Sequence, residues 1–281
     1  MSAAPDAGDF LAGMAASSRA RSAAAQAKLP ARELRARLRD ADVAPTLRLH
    51  AFDLIAEVKL RSPAVGLLKD ASQEDVGERV AGYARAGAAA VSILTEPSRF
   101  DGSLEDLACG ARALRALSVP AMRKDFIVDG YQVLEGRQAG AGGVLAILRM
   151  IPRADLEQVI DTALEQRMFV LLEAFDEADI DLAQELIATR GAQRDLLLVG
   201  VNSRDLVTLK VVPGRLDALA DKLPRDVKRV AESGVATAAD AARVAACGYD
   251  LALVGSALMS AGDPASLARD MLAAGRKARI E

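Results

Sequence analysis

The chain has 281 residues, 51% of them hydrophobic and 27% charged, enough to bury one large core or two smaller ones. Its 36 basic and 39 acidic residues leave a formal net charge of -3, so no overall field draws it to nucleic acid or to an anionic membrane, and neither is an expected partner. One histidine, His50, and two cysteines without ligand spacing, Cys109 and Cys247, argue against a zinc enzyme or a Ser-His hydrolase. The N-terminus carries Asp6 and Asp9 where an export signal would be basic, and no apolar stretch approaches the ~18 residues of a membrane span, so a cytoplasmic location is expected.

Residues 1–48 are rich in Ala and Arg and hold no strand candidate. The first 30 read as partly disordered, followed by a helix that starts at Pro30 and runs through Leu34 and Leu38. From Leu54 onward, short apolar runs alternate with longer amphipathic ones. Eight runs rich in Val, Ile and Leu read as strands: 54–58, 90–94, 119–122, 144–147, 169–172, 196–201, 227–231 and 251–254. The segments after them read as helices over 73–86, 103–117, 131–138, 152–165, 177–189, 213–219, 238–247 and 264–277, with Asp176 and Thr237 as capping residues.

Strands that are apolar throughout imply burial on both faces, as in a parallel sheet wrapped by helices. Eight such units in about 230 residues fit a closed barrel better than an open doubly wound sheet. No Gly-x-Gly-x-x-Gly turn follows the first strand to favour the open sheet. The expected fold class is therefore α/β, a single (β/α)8 TIM barrel over residues 49–281 with an N-terminal helical extension over residues 1–48.

The apolar runs end, in order, on Glu57 and Lys59, Glu96, Lys124, Glu173, Asn202 and Glu232. Polar groups just past buried strands make a poor core but a natural active site, because the C-terminal ends of parallel strands open into a shared mouth. Glu57 and Lys59 are two apart and face one side, either as site residues or as a structural ion pair. In Arg123-Lys124-Asp125, Arg123 and Asp125 share one side and Lys124 takes the other. A lysine aimed into a dry mouth needs a charged partner and can serve as a proton donor; the bland alternative is a solvated loop charge. Glu173 lies in an otherwise apolar strand and must be an acid/base catalyst, half of a salt bridge to Lys59 or Lys124, or both.

Asn202 can donate and accept, and the Arg204 guanidinium suits a carboxylate, although Asn-Ser is also an ordinary turn pair. Glu232-Ser233-Gly234 and Gly255-Ser256 close the last two strands with glycines that let a ligand approach the backbone, and with hydroxyls. The second of them opens a helix whose N-terminus favours anions. Loops after the seventh and eighth strands are where such barrels commonly hold phosphate. His50 reads as surface, and the two cysteines as small buried residues on helices.

Taken together, these segments resemble indole-3-glycerol-phosphate synthase. The match is carried by Ile-Ala-Glu-Val-Lys-x-x-Ser-Pro (55–63), Val-Ser-Ile-Leu-Thr-Glu-Pro-Ser-Arg-Phe-Asp-Gly-Ser-Leu-Glu-Asp-Leu (91–107) and Arg-Lys-Asp-Phe-Ile-Val-Asp-x-Tyr-Gln (123–132). It continues through Gly-Val-Asn-Ser-Arg-Asp-Leu (200–206), Ala-Glu-Ser-Gly-Val (231–235) and Leu-Val-Gly-Ser-Ala-Leu-Met (253–259). The resemblance implies the same barrel and extension, and a decarboxylating ring closure of a phosphorylated small molecule in tryptophan biosynthesis. It implies no metal or organic cofactor, and the chain is expected to act as a monomer or weak homo-oligomer.

By motif, Lys124 is similar to the family's general acid. Lys59 is similar to a partner of the carboxylate and of the ring-closing or dehydration step, with Glu57 beside it to orient it and balance its charge, and Glu173 to the proton acceptor or donor for decarboxylation and dehydration. Asn202, Arg204, Glu232 and Ser233 are similar to residues that hold the substrate, and Ser62, Gly234, Gly255 and Ser256 to phosphate-binding positions. Phe100, Phe126, Leu145 and Ile147 could pack on the aromatic ring. The sequence departs from the family at Ala-Val-Gly-Leu-Leu (64–68), at Gly142-Gly143, and in lacking a histidine after Leu-Leu-Glu-Ala-Phe (171–175). These departures leave room for a divergent paralogue, with altered substrate or without catalysis.

Overall fold

The computed structural model describes residues 7–64, 66–70, 74–206 and 208–280; Val65 of the divergent loop and Gln73, the expected start of a helix, lie outside them. Eight parallel strands form a closed barrel: β1 (Asp53–Val58), β2 (Ala90–Leu94), β3 (Ala121–Lys124), β4 (Gly143–Ile147), β5 (Phe169–Ala174), β6 (Leu197–Asn202), β7 (Lys228–Glu232) and β8 (Leu251–Val254). Each strand pairs with its neighbour in sequence, and β8 closes on β1 through Ile55 opposite Leu253. Each strand is followed by a helix on the outside, so both strand faces are buried, and the Val/Ile/Leu runs are the sequence image of that burial.

The outer helices start where the capping chemistry places them. Asp176 accepts from the Asp179 N–H, and Thr237 forms a reciprocal capping box with Asp240. Observed helices such as Leu104–Arg115, Arg153–Glu165 and Pro264–Ala278 end within a few residues of their expected limits. Three small elements were not expected: a short hairpin, Arg61–Ser62 with Gly66–Leu67, just past β1, the one-turn helix Pro97–Phe100 past β2, and the 3₁₀ helix Gly191–Leu196 before β6.

The extension departs most from the sequence reading: within the stretch expected to be partly disordered, Ala7–Lys28 forms a 22-residue helix, α1, followed by α2 (Ala31–Leu38), while residues 1–6 lie outside the described residues. Alanine gives α1 high helix propensity, and tertiary contacts hold it in place. Leu11, Met14 and Ala15 are buried against the barrel. Ser18 donates to the Phe126 carbonyl and accepts from Gln132 Nε2 (2.8 Å), and Ser22 donates to Asp129 Oδ2 (2.6 Å). α2 buries Leu34 and Leu38 against Tyr131 and Leu134. Among the described residues no helix is long and apolar enough to cross a membrane.

Candidate active site

The C-terminal ends of the strands surround a cavity of about 320 Å³. Because side chains alternate along a strand, every second residue points into it: Leu145 and Ile147 of β4, Glu173 of β5, Asn202 of β6, Glu232 of β7 and Leu253 of β8. Each of the sixteen residues singled out as catalytic or substrate-binding from sequence lines this one space, from Glu57, Lys59 and Ser62 at one end of the chain to Gly255 and Ser256 at the other.

The charges form two linked pairs. Lys59 Nζ donates to Glu57 Oε1 at 2.6 Å. Lys124 Nζ donates to Glu173 Oε2 at 3.2 Å and lies 3.9 Å from Glu232 Oε2. Burial alone would lower the Lys124 pKa, but Glu173, Glu232 and Glu57 outweigh it and hold the ammonium well above the ordinary lysine range. Burial likewise pushes Glu57 up, and Lys59 and Lys124 reverse this, leaving it below the ordinary carboxylate range. Glu232 differs: both its carboxylate oxygens are buried without a hydrogen-bond partner. Desolvation, followed by the nearby Glu173 charge, pushes it well above the ordinary range despite Lys124. The site thus holds a charged ammonium between one carboxylate that hydrogen-bonds it and a second acid that favours its neutral form.

Arg123 and Asp125 point the other way from Lys124, as the period of two demands. Asp125 is buried and accepts from Arg123 Nη2 (3.0 Å), Thr95 Oγ1 (2.7 Å) and both terminal nitrogens of Arg21 (2.9 and 2.8 Å). Those bonds hold its carboxyl far below the usual range, against the upward pull of burial. Arg21 belongs to α1, so the extension is tied by a bidentate ion pair to the residue next to Lys124.

One wall is aromatic. Phe126 meets Phe10 edge-on at 5.9 Å and lies 6.2 Å from Phe100 at a 42° tilt. Hydroxyls enter from Ser62, on the short strand packed against the Pro97–Phe100 helix, and from the Ser233-Gly234 and Gly255-Ser256 turns that follow β7 and β8. Ser233 and Gly234 both have positive φ, 64° and 74°, which is strained for the serine. At Gly255 a Cβ would sit 2.2 Å from Glu57 Oε1 and 2.9 Å from Lys59 Nζ, so on its Cβ side this glycine makes room for the protein's own ion pair. The Lys59 ammonium thereby lies beside the Gly255-Ser256 turn.

A family model described as indole-3-glycerol phosphate synthase matches residues 13–271. The chain belongs to this family. It is 43% identical to the indole-3-glycerol phosphate synthase of Nocardioides sp. over 244 residues, covering 85% of this chain and 88% of that protein. With the Mycolicibacterium gilvum protein of the same name it shares 40% identity over 262 residues, 92% of this chain and 91% of the relative. Among solved structures, 3-hexulose-6-phosphate synthase from Salmonella typhimurium superposes with a TM-score of 0.58 at 19% identity, over 82% of this chain and 99% of that one. The thiamine phosphate pyrophosphorylase of Pyrococcus furiosus gives 0.57 at 16% identity, over 81% and 97%. At that distance these structures speak to the fold alone.

Within the indole-3-glycerol phosphate synthase family motifs, not every strand-end charge reaches the mouth. Glu96 is fully buried but caps the helix Pro97–Phe100, accepting from the Ser98 and Arg99 N–H groups at 2.9 and 2.6 Å. The Glu-Pro-Ser sequence signals that cap, with proline in the first turn. Arg204 lines the cavity with its Nη1 donating to the Leu209 carbonyl (2.5 Å), and its backbone N–H donates to Asn202 Oδ1 (2.9 Å). The cysteines are half-buried rather than buried, and the His50 side chain is exposed. Phe10 is the main lining residue that sequence reasoning missed. Nothing local marks it, because only the docking of α1 brings it to the wall.

Proposed function

We propose that this mouth carries out the reaction for which the family is named, ring closure of 1-(2-carboxyphenylamino)-1-deoxyribulose 5-phosphate to indole-3-glycerol phosphate, a decarboxylating carbon–carbon lyase step of tryptophan biosynthesis. The observation that carries the reading is the Lys124 ammonium, held charged between Glu173 and Glu232 inside a cavity lined by both an aromatic wall and hydroxyl-bearing turns.

The substrate has an anionic end and an aromatic end, and closure requires both to be held so that the ring carbon meets the carbonyl carbon. The phosphate is assigned to Ser62, Ser256 and the backbone at Gly234 and Gly255, with Lys59 close by. Phe100, Phe126 and Leu145 take the ring, and Asn202, Arg204 and Ser233 hold polar groups between the two ends. As the ring carbon attacks, the carbonyl oxygen gathers charge and Lys124 gives it a proton. Loss of CO₂ returns an electron pair to the ring system. The hydroxyl then leaves as water with one proton donated to it, while one proton is lost from the CH₂ carbon that lies between the former carbonyl carbon and the nitrogen. Glu173, Glu57 and Lys59 are the groups within reach for those transfers, and Glu232, favouring its neutral form, can donate a hydrogen bond to the bound substrate.

In this reading the partner is one phosphorylated small molecule, with no nucleic acid, and the enzyme works in the cytoplasm as a monomer or weak homo-oligomer. The test is turnover. The chain has no tryptophan, so indole product fluorescence is followed over little protein background. A rise in fluorescence on adding the substrate is expected. No turnover by folded protein would leave a phosphosugar-binding barrel without catalysis.

A further inference from the structure

Gly200 sits in β6 at the level of the charged cluster, opposite Glu173 of β5 in the strand register. It belongs to the inward-facing set with Asn202, two residues on. A Cβ at this position would lie 2.1 Å from Glu232 Oε1 and 3.0 Å from Leu171 Cδ1, the first far inside contact distance. The Glu232 carboxylate, projecting from β7, therefore fills the volume that any other residue at 200 would occupy with its own side chain. Glu173 and Glu232 come from the two strands that flank β6, and both reach Lys124, at 3.2 and 3.9 Å. A side chain on the strand between them would stand in that gap.

We infer that Gly200 is a positioning residue: the space left by its missing side chain seats the Glu232 carboxylate beside Glu173 and Lys124, and so assembles the three-residue acid–base cluster. Nothing about the backbone demands glycine here, since Gly200 is not among the positive-φ residues and β-strand geometry suits alanine. Glycine in a strand interior weakens the strand, and close approach by another group is a standing reason for keeping one. The missing hydrogen-bond partners of both Glu232 oxygens fit this seat: the carboxylate is held by shape, with its polar atoms left for a ligand.

The inference rests on the catalytic reading of Lys124, Glu173 and Glu232, and the test separates the two. Gly200→Ala, Glu232→Ala and the double variant are compared for kcat/KM, for its pH dependence and for thermal midpoint. If the seat is real, Gly200→Ala loses about 10-fold or more in kcat/KM. The double variant is then no worse than Glu232→Ala, because the two changes act through one group. It also recovers most of the thermal stability that Gly200→Ala loses, since the overlapping atoms are gone. The pH profile of kcat/KM in Gly200→Ala departs from that of the parent as Glu232 loses its place between Glu173 and Lys124, whereas a purely structural defect leaves the profile unchanged.

Wild-type kcat/KM in Gly200→Ala, or losses that multiply in the double variant, would overturn the inference. So would a double variant that melts as low as Gly200→Ala, which would place the obstruction at Leu171 or the backbone. If Gly200→Ala does not fold, recovery of folded protein in the double variant supports the seat and failure contradicts it. A Glu232→Ala protein that turns over normally would count against the catalytic reading, while the stability comparison would still judge Gly200.

Discussion

The two ends of the barrel bury carboxylates in opposite ways. At the N-terminal end, Asp53 accepts from Arg276 Nη2 (2.8 Å) and from the His50 N–H, and Asp250 accepts from the Arg229 N–H (3.0 Å) and Arg279 Nη2 (2.7 Å). These bonds tie the C-terminal helix and the chain entering β1 to the strand starts. At the C-terminal end, Glu57 and Glu173 meet lysines, and Glu232 meets no hydrogen-bond donor. A buried carboxylate without a donor is unfavourable for the fold, so the same chemical group closes the structure at one end and is left open to a ligand at the other. The difference shows which rim carries stability and which carries chemistry.

The comparison breaks most visibly at Lys124. Lys124→Ala is expected to lower kcat by about 10²–10⁴ while the protein stays folded, the usual range for one acid/base group; near-normal turnover would remove its assignment. The mirror-image result is expected at Asp53. Asp53→Ala should destabilise the fold by about 1–3 kcal/mol in denaturant titration, because it removes the buried acceptor that joins the Arg276 guanidinium and the His50 N–H, while kcat at 25 °C stays within about threefold. A large loss of kcat with unchanged stability would contradict the division between the ends.

Ser256→Asp sharpens the picture of the anion side. A carboxylate against the substrate phosphate should raise KM by about 5- to 100-fold with a smaller effect on kcat, and an unchanged KM would move the phosphate elsewhere. The smallest effect concerns Glu232 and pH. Its folded pKa is raised, so below the ordinary carboxylate range it is protonated both folded and unfolded and has no influence on stability. As pH rises, the unfolded chain ionises first and folding is disfavoured until the folded group also ionises. Glu232→Gln should therefore melt higher than the parent at pH 7, with the gap closing below about pH 4. A gap that widens on acidification would reverse the sign assigned to this group.

Much of this was legible before any coordinates. Continuous apolar strands, capped helices and polar strand ends contain the barrel, and the period of two separates Lys124 from Arg123 and Asp125. What escaped depends on contacts distant in sequence. α1 has no amphipathic stripe to announce it, because serines, a glutamine and an arginine anchor much of its docking face through hydrogen bonds to the loop after β3 and the helix that follows that loop. Phe10 reaches the mouth only as a consequence of that docking. Gly255 reads locally as a ligand turn and Gly200 only as one residue of the 200–206 motif; what each makes room for is a carboxylate delivered by a neighbouring strand.

The central claim is that one molecule is gripped at both ends inside this single mouth, and a crystal structure with the phosphorylated indole product bound tests it most directly. The account predicts the phosphate within hydrogen-bond reach of Ser62, Ser256 and the Gly234 backbone, the indole ring against Phe100 and Phe126, and Lys124 Nζ facing the new ring carbon. Product bound at the opposite end of the barrel, or with its phosphate against the aromatic wall, would contradict it.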